Sequence, residues 1–259
     1  MLIDSHCHLN FNAFDEDRDE VITRAKEAGI VAFINPATNL TDSQQITKMS
    51  EVIPELYGAV GFHPNDAAAF NDEALHQLKQ LAHSPKIVSI GEIGLDYYWD
   101  KAPRPVQQRV FESQLELAKE TNKPVIIHQR ESGADTMAIL RQWGADGQHP
   151  GLVLHSFSGD QAMMEAAIDL GFYIGISGPV TFKNARGLPD VVAAAPANRL
   201  LVETDAPFLT PHPFRGKRNE PARVKLITER IAELQQKTFT DMSRQLTQNT
   251  QTLFKLDIL

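Results

Sequence analysis

IVSIGEIG (Ile87–Gly94) is an apolar run rich in β-branched residues. RPVQQRVFESQLELAKETN (Arg104–Asn122) follows it with apolar residues at helical spacing, and PVIIHQ (Pro124–Gln129) is then a second run of the first kind. Strand, helix, strand is the order a parallel pair needs, because parallel neighbours are joined only by a long crossover. The same alternation extends in both directions. MLIDSH, VAFINPA and YGAVGFHP come before, and GLVLHSF, FYIGISG and RLLVETDAP after. The eight runs begin about 30 residues apart, the spacing of strand–helix units. DEDRDEVITRAKEAG closes on Gly29 and GDQAMMEAAIDLG on Gly171, each glycine suited to ending a helix. Eight such units predict an α/β fold of the (β/α)8 TIM-barrel type, closed by a last helix over FTDMSRQLTQNTQTLFKL (Phe239–Leu256). An open doubly wound sheet is the runner-up, but its first turn, SHCHLNFNAF (Ser5–Phe14), lacks a glycine-rich phosphate-binding signature. No linker or low-complexity tract divides the chain, so one domain over 1–259 is expected.

Composition narrows the function. With 25 Lys and Arg against 33 Asp and Glu, the formal net charge is −8, which excludes a protein that coats nucleic acid through a broad basic face. It leaves room for one local phosphate site, and surplus acid suits carboxylates gathered around a cation. The chain contains no apolar run of membrane-spanning length, and its N-terminus has no secretory pattern. A cytoplasmic protein is therefore expected, a monomer with no membrane partner and no obligate protein partner. The single cysteine, Cys7, is read as a buried free thiol turned away from its flanking histidines.

Barrel enzymes build their sites at the C-terminal ends of the strands. Five of the nine histidines fall at such ends: His6 and His8, His63, His128 and His155. His76, His83, His149 and His212 are read as solvated surface residues. Glu92 and Asp205 also end apolar runs. Residues two apart on a strand share a face, so His6 and His8 would stand side by side with Asp4 beneath them. By the same alternation Ala59 and Gly61 would lie below His63, and Ile90 below Glu92. His6, His8, Glu92, His128, His155 and Asp205 would then converge on one mouth. A single zinc takes three or four protein ligands, so six suggest two divalent ions with one shared carboxylate. Left unpaired there, such groups would each cost several kcal/mol in desolvation.

These residues resemble the metal-dependent amidohydrolase superfamily. Within it, DSHCHLN, GFHP, GEIGLDYY, PVIIHQR, LHSFSG, LLVETDAPFL and RGKRNEP look like the TatD family of metal-dependent deoxyribonucleases, over Met1 to about Leu259. The resemblance implies that His6, His8, Glu92 and Asp205 hold one ion and that Glu92, His128 and His155 hold the second, with Glu92 bridging. Some amidohydrolases carry a carbamylated lysine at the bridge; the glutamate here points toward phosphoester chemistry. HQRES departs from the family pattern around its arginine.

The expected activity is a dinuclear metal-dependent phosphodiesterase hydrolysing DNA as an exonuclease, with Mg2+, Mn2+ or Zn2+, acting on DNA ends or short single strands. Asp205 is expected as general base and Glu92 as the bridging acid. His63 is expected to bond the phosphate or the leaving oxygen. Arg130, two residues beyond His128, and Arg215, Lys217 and Arg218 of the last basic loop are expected on phosphates. Asn219 and Glu220 would shape that loop, and Glu203 would partner a metal ligand. A ring among Tyr97, Tyr98 and Trp99 could stack on a base. The competing readings are an amidohydrolase or deaminase cleaving a C–N bond of a small molecule, and a metal-binding regulatory protein without turnover.

Overall fold

A computed structural model describes residues 1–145 and 147–258; Asp146 and Leu259, the latter the last residue of the expected domain, lie outside the described residues. Eight parallel strands pair in sequence order: β1 (Leu2–Asp4), β2 (Ile30–Pro36), β3 (Leu56–Val60), β4 (Ile87–Asp96), β5 (Val125–Arg130), β6 (Leu152–Leu154), β7 (Tyr173–Ile176) and β8 (Leu200–Val202). Helices α1 (Arg18–Glu27), α2 (Leu40–Val52), α3 (Asp72–Leu81), α4 (Arg104–Thr121), α5 (Gly133–Trp143), α6 (Gln161–Asp169) and α7 (Leu188–Ala194) fill the crossovers. α8 (Val224–Leu234) and α9 (Phe239–Phe254) follow the last strand. This is a (β/α)8 barrel. The glycine ends hold: Gly29 and Gly171 follow α1 and α6 with φ of 91° and 82°.

The core has two layers. Ile3, Ala32, Ile34, Ala59, Ile126, Val153, Tyr173 and Leu201, drawn from seven strands, meet inside the barrel. Leu253, Phe254 and Leu256, at the end of α9 and just past it, pack into the same cluster. That is the role of the closing helix: it seals the N-terminal end, and burying Phe254 there contributes about 2–3 kcal/mol. The second layer lies between strands and helices and includes Cys7, which is fully buried as expected. Burial pushes the Cys7 thiol well above its usual range.

The seam between first and last strands closes above the ladder. Ser5 N donates to Val202 O (3.1 Å), Asp205 N to His6 O (2.8 Å) and His8 N to Ala206 O (2.7 Å). Asp4 adds a side-chain clasp, its Oδ1 accepting Thr204 N (2.8 Å) and its Oδ2 the Thr204 hydroxyl (2.5 Å). Burial pushes the Asp4 carboxyl up to about 8 against the pull of those donors.

Three expectations from strict alternation fail here. Asp4 is in the seam, not beneath the histidines, because β1 ends at Asp4 and the chain bends at Ser5, leaving Ile3 as the interior residue. Ile90 pairs with Val60 in the outer layer, since the β3–β4 register shifts and sets Ser89 beside Ala59. Gly61 lies against Ile93 and Gln114 on the helix side. His76, His83 and His212 are exposed as expected. His149 is not: it is half-buried between Trp143 and Phe172, its Nδ1 accepting Gly151 N and its Nε2 3.0 Å from Leu170 O.

Candidate metal centre

The strand ends bring all six expected donors to one mouth. His6 and His8 follow β1, Glu92 lies in β4, His128 in β5, His155 follows β6 and Asp205 stands three residues past β8. His6 Nε2 is 3.1 Å from His8 Nε2, 3.4 Å from Glu92 Oε2 and 3.6 Å from Asp205 Oδ1. His8 Nε2 is 3.5 Å from Asp205 Oδ1 and 3.8 Å from Glu92 Oε2. The other carboxylate oxygen faces a second set: Glu92 Oε1 lies 2.7 Å from His128 Nδ1, 3.7 Å from His155 Nε2 and 3.9 Å from His63 Nε2. One carboxylate thus stands between two groups of imidazoles. His6 and His155 stack at 3.5 Å between ring centres.

Far-side contacts orient several of the rings, while His6 Nδ1 is buried without a hydrogen-bond partner among the described residues. His8 Nδ1 is 3.2 Å from the carbonyl of Pro36, which only accepts, so the Nε2 lone pair points into the site. His155 Nδ1 is 2.8 Å from Glu203 Oε1, an ion-pair contact, and that oxygen accepts Ser156 N. Gly175 makes room for this acid: a Cβ there would sit 2.8 Å from Glu203 Oε2. Glu203 thus lies at ion-pair distance from His155. His128 Nε2 is 3.1 Å from Asp96 Oδ2, leaving Nδ1 toward Glu92. His63 is the exception, because its Nδ1 accepts the amide of Asn65 at 3.1 Å. The proton of the neutral ring is then on Nε2, so His63 presents a donor where His8 presents a lone pair.

Charges respond to this packing. Burial works to raise the Glu92 carboxyl, but His155 and His6 hold it well below its usual range. Asp205 is likewise lowered, burial being outweighed by His8 and His155. Burial and His128 push His63 down to about 3, and burial and His155 lower His6. His155 rises to about 10, burial being overcome by Glu203 and Glu92. Of the two carboxylates, Asp205 is the more open, with 13% of its side chain exposed against 4% for Glu92.

The donors fit divalent cations. His6 and His8 bring their Nε2 atoms within 3.1 Å of each other beside two carboxylates, and the buried His6 Nδ1 has no partner among the described residues, a donor set that a shared positive charge satisfies. His6, His8 and Asp205 lie close enough to hold one ion together, as do His63, Glu92 and His128, and His6, His155 and Glu203. Mixed imidazole and carboxylate donors suit zinc and manganese as well as magnesium.

Around the rim, Arg130 lies over Tyr98 at 4.0 Å, Arg215 over Phe182 at 3.7 Å, and Lys217 near Phe214 at 5.8 Å. Among the described residues none of these three pairs with a carboxylate. Arg218 differs from its expected role: both its terminal nitrogens are 2.7 Å from Asp17, and Nη1 also donates to Ala13 O. It fastens the basic loop to the start of α1 instead of presenting a free cation. Asn219 donates to Thr204 O and Phe208 O, and Glu220 pairs with Arg24, so both hold the loop as expected.

The sequence pattern alone gives Asp96 no role. Buried at 1% exposure, it accepts Tyr98 N and Trp99 N on Oδ1 while its other oxygen holds His128. Counting alternation from Glu92 through Gly94 would have placed it on the same face.

The family model described as TatD related DNase matches residues 3–255. Over 260 residues the chain is 44% identical to the uncharacterized metal-dependent hydrolase YabD of Bacillus subtilis (strain 168), covering 99% of this chain and 100% of that one. Over 262 residues it is 36% identical to a protein of Edwardsiella piscicida named 3'-5' ssDNA/RNA exonuclease TatD, covering 98% and 100%. Among solved structures, that of YJJV, a TatD homolog from Escherichia coli K12, superposes with a TM-score of 0.92 at 34% identity and 98% coverage of both chains.

Proposed function

We propose, from the premise that this chain belongs to the family of TatD-related DNases and is a metal-dependent hydrolase, that it cleaves phosphodiester bonds of DNA from an end, as an exonuclease on ends or short single strands. The carrying observation is Glu92, whose two oxygens face different histidine groups: Oε2 toward His6 and His8, Oε1 toward His128 and His155. On this reading the centre holds two ions, one by His6, His8, Glu92 and Asp205, the other by Glu92, His128 and His155. Relatives named as exonucleases support nucleic acid as the substrate.

Divalent cations in such a site acidify a water molecule and neutralise phosphoryl oxygens. The protein's own residues supply the rest. Asp205, with its open carboxylate held anionic, accepts the proton of the attacking water. His63 donates from Nε2 to a phosphoryl or leaving oxygen. Arg130, Arg215 and Lys217 bind flanking phosphates, and Arg218 positions the loop that carries the last two.

The test is digestion of end-labelled single- and double-stranded DNA with Mg2+ or Mn2+. Stepwise shortening that stops with chelator and returns on adding metal is expected. Intact DNA, with release of ammonia or a carboxylate from a cyclic amide instead, would overturn this reading in favour of C–N hydrolysis.

A further inference from the structure

Two of the few large apolar side chains left exposed, Tyr98 (50%) and Trp99 (56%), stand side by side immediately past β4. Their rings meet edge to face at 5.1 Å between centres. The Arg130 guanidinium lies 4.0 Å from the Tyr98 centre and 5.8 Å from that of Trp99, and among the described residues it pairs with no carboxylate. Three side chains from two adjacent strand ends therefore form one exposed, aromatic and positively charged surface, with the Trp99 ring set edge to face against Tyr98.

This surface is tied to the site. Asp96 accepts the amides of both Tyr98 and Trp99, at 3.0 and 2.9 Å, while holding His128 Nε2 at 3.1 Å. Tyr97 N, the next amide back, bonds the Arg130 carbonyl at 2.9 Å. A buried carboxylate thus fixes the platform's distance from a metal-site histidine, with no flexible linker between them. Exposed rings so held lose little further entropy when a planar ligand lands on them.

We propose that Trp99, backed by Tyr98, stacks on a nucleobase of the single strand being cleaved, while Arg130, held by the Tyr98 ring, binds the neighbouring phosphate; this rests on the phosphodiesterase reading above. Stacking tolerates any base, so the platform selects for unpaired nucleotides without selecting sequence. A paired base has its faces covered by its neighbours and offers nothing to Trp99 until it leaves the duplex.

The test compares a single-stranded oligonucleotide with one carrying an abasic residue at each position in turn, for wild type, Trp99→Ala and Trp99→Phe. Trp99→Ala is expected to raise KM on the normal strand about tenfold, in line with the worth of one base stack, with kcat within about twofold. On the strand whose abasic residue faces the platform the same substitution is expected to change nothing, and Trp99→Phe is expected to restore most of the loss. Equal losses on both strands, or no loss on the normal one, would overturn the proposal. A second readout does not need turnover. The chain has two tryptophans, and Trp143 is buried, so quenching of the exposed Trp99 by added oligonucleotide reports stacking directly. Quenching in wild type that disappears in Trp99→Phe is expected, and its absence overturns the platform. A wild type that quenches but cleaves neither strand would sink the phosphodiesterase reading alone.

Discussion

Asp205 has a φ of 56°, a left-handed conformation that aspartate tolerates better than most residues, and its amide is pinned to the His6 carbonyl. Replacing it by asparagine keeps the shape and removes the base. We expect Asp205→Asn to lower kcat on DNA by about 10³-fold, within the usual contribution of a general base, with thermal stability little changed. Undiminished cleavage would remove it from that role. His63 makes a separate prediction. If its Nε2 proton serves the phosphate, His63→Ala should depress kcat while metal content, measured by elemental analysis, stays at the wild-type level. At this scale the sequence was readable where a polar residue ended an apolar run, which is why His6, His8, Glu92, His128, His155 and Asp205 could be named together. It was silent on Asp96 and on which ring nitrogen faces inward, because the partners that decide these come from across the barrel. It misled at Asp4 and Ile90, where a bend and a register shift broke the alternation being counted.

The loop between β8 and α8 sets an anchored arginine close to cations with no described carboxylate partner. Its arginines look alike in sequence, yet Arg218 is fastened to Asp17 and Ala13 whereas Arg215 rests on Phe182 with its charge uncompensated by any described carboxylate. Replacing Arg215 and Lys217 together by alanine should flatten the salt dependence of single-stranded DNA binding by about two phosphate contacts, a slope change of roughly 1.4. Arg218→Ala should leave that slope nearly unchanged and instead speed hydrogen exchange in the loop. Asp17 supplies the pH signature. Its hydrogen bonds from Arg218, ahead of a smaller opposing effect of burial, hold its carboxyl down at about 2. The lowered value means that the pair's stabilisation is present in full above the unfolded carboxylate's pKa of about 3.9 and fades as pH falls toward the folded value. The difference in melting temperature between wild type and Asp17→Asn should therefore narrow between pH 5 and pH 3. A constant difference would show that the pair is not what the substitution disturbs. A basic triplet in the sequence could not reveal this division, because Asp17 is some two hundred positions away.

The whole barrel was legible because its repeat is regular: eight apolar runs at even spacing admit few other architectures, and helices ending on Gly29 and Gly171 agreed with it. The seam was not, since nothing in either terminal segment announces that Asp4 and Thr204 will bond across the join. Thr204→Val keeps the volume but strips the hydroxyl from a buried carboxyl and from the Ala206 amide. A cost of about 1–3 kcal/mol is expected, seen as a melting temperature lower by several degrees in calorimetry. An unchanged transition would mean the backbone bonds alone secure the join. The same seam governs when the centre can exist at all. His6 and His8 are synthesised well before Asp205, and that carboxylate reaches their side only after the segment past β8 has docked against the segment past β1. Between those two points of synthesis the imidazoles stand without their carboxylate, so topology sets when the cluster of His6, His8 and Asp205 can assemble.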